Sequence, residues 1–95
     1  MRLTRQLFMT AKLTLFTRAG CGLCDEAKRA VTTVISNAAI KPVYAEVDID
    51  NANHRQWFDK YAFDVPVLHW QNDEGKTGKI MHHIGPADVR KLLST

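Results

Sequence analysis

The sequence predicts an α/β fold in which a mixed four-stranded sheet is flanked by helices. Strand-like and helix-like segments follow one another in the order β-α-β-α-β-β-α. A helix joins the first two strands, so we expect them to be parallel, whereas a tight turn joins the last two, which predicts an antiparallel hairpin. With 95 residues, 45% of them hydrophobic, the chain is long enough for one such domain.

The first half of the chain predicts a strand, a long helix and a second strand. Residues 12–17, KLTLFT, alternate and carry apolar side chains on both faces, which is typical of a strand covered on both sides. Apolar residues then recur at helical spacing from Gly22 to Asn37. Residues 41–49 predict the second strand. Its inward face is expected to hold Val43, Ala45 and Val47.

The second half predicts a helix, a hairpin and a final helix. Residues 52–61 form the helix, with Asp50 and Asn51 available as its N-cap. Strands are expected at 65–70 and around 79–84, on either side of an NDEG turn, and Pro86 suits the first turn of the last helix. Four aromatic residues are predicted to pack in the core or at the helix–strand junction: Trp57, Phe58, Tyr61 and Phe63.

Charge and composition exclude several classes of protein. The net charge of +3 is carried by scattered bases without an accompanying aromatic stripe, so we expect no nucleic-acid partner. No apolar run is long enough to cross a bilayer, so no membrane partner is expected. Two cysteines are too few for a secreted disulfide scaffold, and no secretory signal is recognisable. We expect a monomer that is not secreted.

The N-terminal residues 1–11 differ from the rest of the chain. No acidic residue occurs before Asp25, and Arg2 and Arg5 can lie opposite a short apolar helix face. This pattern is typical of a mitochondrial presequence and also of a basic tail. We therefore divide the chain into a basic tail or short targeting segment, 1–11, and a domain, 12–95, with a cytoplasmic or mitochondrial location.

Both cysteines lie in Cys21-x-x-Cys24, where a strand gives way to a helix. The first turn of a helix carries unpaired N–H groups and the positive end of the dipole, and both stabilise a thiolate. Cys21 is therefore predicted as the nucleophile. Cys24, nearly one turn further on, is predicted as the resolving thiol that closes the Cys21–Cys24 bond. Arg18 adds positive charge nearby, and Asp25 opposes it.

Two other uses of these thiols remain open. A zinc site would need two more ligands, for which the candidates are His54, His69, His82 and His83. No second cysteine pair exists, and we expect no metal. The other alternative is a pair of inert buried thiols. This fits poorly with a cysteine at the N-terminal end of a helix, where we expect it to be exposed.

Three segments, LTLFTRAGCGLCDEAK, FDVPVL and HHIGPADVRKLL, resemble the glutaredoxin branch of the thioredoxin-fold proteins. The resemblance runs from about Lys12 to Leu93 and is strongest to a small group of glutaredoxin-like proteins with Cys-Gly-Leu-Cys or a close variant. It implies a thioredoxin-like fold. It also implies a cis peptide bond at Val65-Pro66, facing the dithiol, which would leave the Val65 backbone free to pair with an extended thiol peptide.

The resemblance further implies a glutathione site. Arg18, before the first cysteine, and the start of the last helix at Gly85 and Asp88 match the residues that hold glutathione in the family. The chain departs from the family where Pro86 replaces a second glycine and removes an N–H donor. It departs again where Gly22-Leu23 replaces Pro-Tyr between the cysteines. Glutathione is therefore a candidate co-substrate.

These observations predict a thiol-disulfide oxidoreductase that requires no bound cofactor. The expected substrate is a disulfide-containing protein or a glutathione mixed disulfide, and the expected reductant is glutathione or a thioredoxin-type reductase. Two alternatives remain open. One is a module that binds an iron–sulfur cluster through Cys21 and glutathione, against which the altered glutathione site argues. The other is an interaction protein in which the dithiol is incidental.

Overall fold

The computed structural model describes residues 11–93 and contains the predicted elements in the predicted order. They are β1 (Lys12–Thr17), α1 (Gly22–Asn37), β2 (Val43–Asp48), a 3-10 turn (Ala52–His54) leading into α2 (Arg55–Tyr61), β3 (Val67–Gln71), β4 (Thr77–Met81) and α3 (Pro86–Leu93). The predicted basic tail or targeting segment lies, apart from its last residue, outside the described residues. None of the described helices has the length and apolar character needed to cross a membrane.

The four strands form one mixed sheet in the order β2-β1-β3-β4. β1 is parallel to β2, and β3 is antiparallel to both β1 and β4. The predicted parallel pair and hairpin are therefore confirmed. In the central strands, Leu15 lies opposite Leu68, and both side chains are fully buried.

One face of the sheet packs against α1 and α3. Alternate residues of β1 and β3 point to this face, and the helices contribute small and β-branched residues at three- and four-residue spacing. The buried cluster consists of Leu13, Leu15, Ala27, Ala30, Val31, Val34, Leu68, Trp70, Ile84 and Val89. Most of the core therefore lies beneath the helix that follows the dithiol.

The opposite face is covered by α2 at one end only. A seven-residue helix is about 10 Å long, and it reaches the cluster formed by Phe16, Ile49, Tyr61 and Val67. The prediction that Val43 and Ala45 point into the core is wrong, because they lie beyond α2 on an edge strand, and Val43 is 57% exposed. Only Val47 of that predicted face packs against the cluster.

The predicted aromatic cluster is confirmed for three of its four residues. Tyr61 is buried, and Trp57 and Phe58 pack beside it, with the Trp57 ring 4.6 Å from the Phe16 ring between centroids. Phe63 is instead 98% exposed. Phe63 lies beyond the end of α2, which is at Tyr61 as predicted, and its side chain points into solvent.

The hairpin is shorter than predicted at both outer ends. β3 begins at Val67 rather than residue 65, and β4 ends at Met81 rather than residue 84. β4 ends there because His82 adopts a positive φ of 68°, which turns the chain out of the sheet. His82 and His83 therefore do not alternate along a strand.

His69 of β3 makes the stability of the fold depend on pH. Its Nε2 lies 2.6 Å from the Tyr61 hydroxyl oxygen in a hydrogen bond. Burial, together with the nearby Lys79 and Lys60 ammonium groups, lowers the pKa of His69 below its ordinary value of 6.5. The unfolded chain therefore binds a proton at this histidine at a higher pH than the folded chain does.

We expect the free energy of unfolding to fall as the pH drops from about 6.5 toward the folded pKa of His69. Urea titrations of the native protein and the His69→Gln variant at several pH values test this. The variant should show a smaller loss of stability over that range. Between pH 7.5 and 8.5 the free energy of unfolding should change with pH equally in the two proteins, since the His69 ring is then neutral in both the folded and the unfolded state. If the native protein and the variant lose the same free energy of unfolding below pH 6.5, His69 is not the source of this pH dependence.

Candidate active site

Cys21 is the N-cap residue of α1. Its backbone is extended, with φ −110° and ψ 108°, and its Sγ accepts a hydrogen bond of 3.1 Å from the Cys24 N–H. The two cysteines form a disulfide, with Cα atoms 5.1 Å apart. Cys21 is partly exposed, whereas Cys24 is 0% exposed. An incoming sulfur atom can therefore reach Cys21 but not Cys24.

The chain between β1 and α1 turns sharply to place Cys21. Gly20 has a φ of +71°, a conformation that favours glycine, and the turn it forms leads directly into the cap. Gly22, the first residue of α1, is exposed, and Leu23 is half-buried. Both residues between the cysteines therefore lie in the first turn of α1, beside the disulfide.

The Val65-Pro66 peptide bond is cis, as the resemblance implies. Pro66 is buried, and its carbonyl oxygen accepts a hydrogen bond of 2.8 Å from the His82 N–H. The expectation that the whole Val65 backbone is free is wrong. The Val65 N–H donates to the Tyr61 carbonyl oxygen at 3.2 Å, because the chain turns immediately after α2.

Asp64 and His82 lie beside the cis-proline; the sequence pointed to His82 only as a possible zinc ligand and did not point to Asp64. Asp64 and His82 form a pair in which an aspartate oxygen lies 3.5 Å from His82 Nε2. His82 thus contacts the two neighbours of Val65 in the chain, Pro66 through its backbone N–H and Asp64 through its ring. The pair depends on the positive φ of His82, for which the sequence offers no signal.

Arg18 forms hydrogen bonds with residues that are distant from it in the chain. Its guanidinium donates hydrogen bonds to both carboxylate oxygens of Asp50, at 2.8 and 3.3 Å, and to the Ala62 carbonyl oxygen at 3.2 Å. It also lies over the Phe58 ring, 5.5 Å from the centroid. Asp50 was predicted as N-cap material, but Asn51 caps the 3-10 turn, and Asp50 instead holds Arg18.

Asp88 is engaged at the start of α3. Its carboxylate accepts a hydrogen bond of 2.9 Å from the Gly85 N–H, so it stabilises the first turn of its own helix. Gly85 and Pro86 line a cavity of about 270 Å³ together with Glu26 and Arg29 of α1. The start of α3 therefore lies beside the second turn of α1, the helix that carries the dithiol.

Three of the four histidines considered as zinc ligands have other contacts. His54 is hydrogen-bonded to the Asp48 carbonyl oxygen at 3.1 Å, His69 to Tyr61, and His82 contacts Asp64. Within residues 11–93, no three histidine, cysteine, aspartate or glutamate side chains are grouped as metal ligands.

Solved structures show that this architecture is the thioredoxin fold. The chain aligns with chloroplastic thioredoxin z at a TM-score of 0.76 and 15% identity, covering 90% of this chain and 76% of that one. Thioredoxin O2 from Arabidopsis thaliana, in its oxidised state, aligns at 0.71 and 19% identity, covering 90% and 73%. Protein XcR50 from X. campestris aligns at 0.62 with 27% identity, covering 86% and 95%.

Sequence comparisons identify the branch of that fold. A curated relative, the glutaredoxin-like protein YDR286C homolog of Dictyostelium discoideum, is 37% identical over 62 residues, which are 63% of this chain. The match spans 57% of the relative's length. The family model for the glutaredoxin-like domain (DUF836) matches residues 12–94, nearly the whole chain. The chain therefore belongs to the glutaredoxin-like domain family of the thioredoxin superfamily.

Proposed function

We propose that the protein is a thiol-disulfide oxidoreductase in which Cys21 attacks and Cys24 resolves. The observation that carries this proposal is the asymmetry of the pair at the helix cap. Cys21 is partly exposed and its Sγ already accepts a hydrogen bond from the Cys24 N–H in the first turn, whereas Cys24 is fully buried. A thiolate formed at Cys21 is stabilised by that hydrogen bond and by the helix dipole.

The reaction proceeds by two thiol–disulfide exchanges. The Cys21 thiolate attacks one sulfur of a substrate disulfide, forms a mixed disulfide and releases the other substrate sulfur as a thiolate. Cys24 loses its proton to solvent and attacks Cys21 Sγ, which releases the second substrate thiolate. Two electrons have then passed to the substrate, and the protein holds the Cys21–Cys24 disulfide until an external thiol reduces it.

The charges around the dithiol set how strongly a Cys21 thiolate is stabilised. The Asp50 carboxylate neutralises much of the Arg18 charge, so α1 itself is the main source of positive potential at Cys21. Asp25 follows Cys24 directly in the first turn and opposes the effect. We therefore propose a thiolate that is stabilised moderately rather than strongly.

The proposed substrate is a protein disulfide or a glutathione mixed disulfide, with glutathione or a thioredoxin-type reductase as the reductant. Glutathione would have to compete for Arg18 with Asp50, and for the Gly85 N–H with Asp88. A protein substrate has other contacts available. The Val65 carbonyl makes no hydrogen bond among the described residues, and the exposed Phe63 ring lies two residues before it.

The reduction potential and the Cys21 pKa test this proposal. We expect the pair to close reversibly in glutathione buffers at a potential between about −270 and −200 mV. In the Cys24→Ser variant, which isolates Cys21, its pKa should lie below about 8.5. A pair that stays reduced, with an ordinary Cys21 pKa, would favour an interaction protein. A coloured protein after anaerobic purification would favour the cluster-binding alternative.

A further inference from the structure

A cavity of about 440 Å³ lies on the sheet face that α2 leaves uncovered. Residues from α2, β3 and β4 line it. Gln71 and Thr77 pair with each other at its outer end, and Gln71 lies opposite Lys12, the first residue of β1. The dithiol follows the last residue of β1, so the cavity lies toward the opposite end of the sheet.

Two lysines converge on this cavity. Lys60 Nζ is 5.4 Å from the centroid of the Tyr61 ring, and Lys79 Nζ is 5.7 Å from the same centroid. Neither ammonium group forms a salt bridge to any residue between 11 and 93, and no aspartate or glutamate is among the residues that line the cavity. Among residues 11–93, no carboxylate therefore forms an ion pair with either ammonium group.

The other residues that line the cavity include hydrogen-bonding and aromatic side chains. His69 is paired with Lys79 across the strands, and its ring contacts Tyr61. The Gln71 amide and the Thr77 hydroxyl can donate further hydrogen bonds. Burial, and after it the charges of Lys79 and Lys60, lower the pKa of His69, in keeping with two ammonium groups close to its ring.

We propose that this cavity binds a small organic anion whose phosphate or carboxylate groups lie between Lys60 and Lys79, with His69 beneath them. Its volume lies in the range of about 300–1,000 Å³ that is typical of small-molecule sites. Phosphate and carboxylate oxygens both form charge-assisted hydrogen bonds with ammonium groups. This binding is separate from the dithiol chemistry.

Inorganic pyrophosphate and citrate are suitable probes, titrated into the full chain at constant ionic strength and followed by two-dimensional NMR. We expect saturable shifts at Lys60, His69 and Lys79 with at least one probe, and tighter binding of one probe distinguishes a phosphate from a carboxylate ligand. Bound anion offsets the lysine charges, so the pKa of the His69 ring should rise when the probe is bound.

Variants that each remove one positive charge distinguish anion binding at this cavity from non-specific attraction of anions to a basic protein. Lys60→Gln and Lys79→Gln should each weaken binding by about tenfold. Lys76→Gln, which removes the same charge from the neighbouring turn outside the cavity, should change it by less than about twofold. Circular dichroism checks that all three variants are folded. The proposal is overturned if neither probe saturates, if the shifts lie elsewhere, or if Lys76→Gln is as damaging as the other two.

Discussion

Replacement of Cys21 by serine is expected to lower the kcat/KM for disulfide substrates by at least about a thousandfold. Serine retains the size of the side chain and the cap hydrogen bond to the first turn of α1, but its hydroxyl is not ionised near neutral pH. No other described sulfur can take over the attack, because Cys24 is fully buried. Steady-state reduction of a model protein disulfide measures the loss.

The matched variant Cys24→Ser is expected to behave differently. It should still perform the first exchange and then accumulate the mixed disulfide at Cys21, since no second thiol is available to release the substrate. Mass spectrometry of the intact protein, after incubation with the substrate, detects the added mass. If Cys21→Ser traps the substrate and Cys24→Ser does not, the two roles are the reverse of those proposed.

Truncation of Leu15 to alanine is expected to destabilise the fold by about 2–5 kcal/mol. Leu15 lies on a central strand, opposite Leu68, and is 0% exposed beneath α1 and α3. The substitution removes apolar contacts and leaves a cavity that neighbours on a sheet cannot readily fill. Because a domain of this size is stable by only about 5–15 kcal/mol, much of its stability would be lost.

Urea denaturation followed by tryptophan fluorescence measures this change, with Ile40→Ala as the control. Ile40 is 52% exposed in the connection between α1 and β2, so its truncation should cost less than about 0.5 kcal/mol. Similar losses for the two variants would mean that the core is not organised around the central strands as described.

The sequence predicts the fold best where the residue pattern is long and regular. Sixteen residues of helical spacing place α1 at the bounds that were predicted, Gly22–Asn37. It predicts the short elements less well. β4 ends at Met81 because the next residue, His82, adopts a positive φ, and Phe63 is exposed although α2 ends where it was predicted to end. Both outcomes depend on tertiary contacts that local patterns do not record.

Some features of the candidate site could likewise be predicted from the sequence, and others could not. The Cys21-x-x-Cys24 motif and the cis bond before Pro66 could be predicted, the first from spacing at a strand–helix junction and the second from family resemblance. The bond between Arg18 and Asp50 could not, because the two residues are 32 positions apart and both suit other roles. Charged residues accept many partners, so their pairing is decided only by the folded chain.

The cap of α1 and the Cys21–Cys24 disulfide share one sulfur atom, Cys21 Sγ. In the oxidised protein, the Cys24 N–H donates to a neutral disulfide sulfur, and after reduction it donates to a thiolate, which is a stronger acceptor. In the proposed reaction, local order at the start of the helix is thus coupled to the oxidation state of the cysteine pair. The Cys24 amide should exchange its hydrogen with solvent more slowly once the dithiol is reduced, so the backbone itself reports the oxidation state.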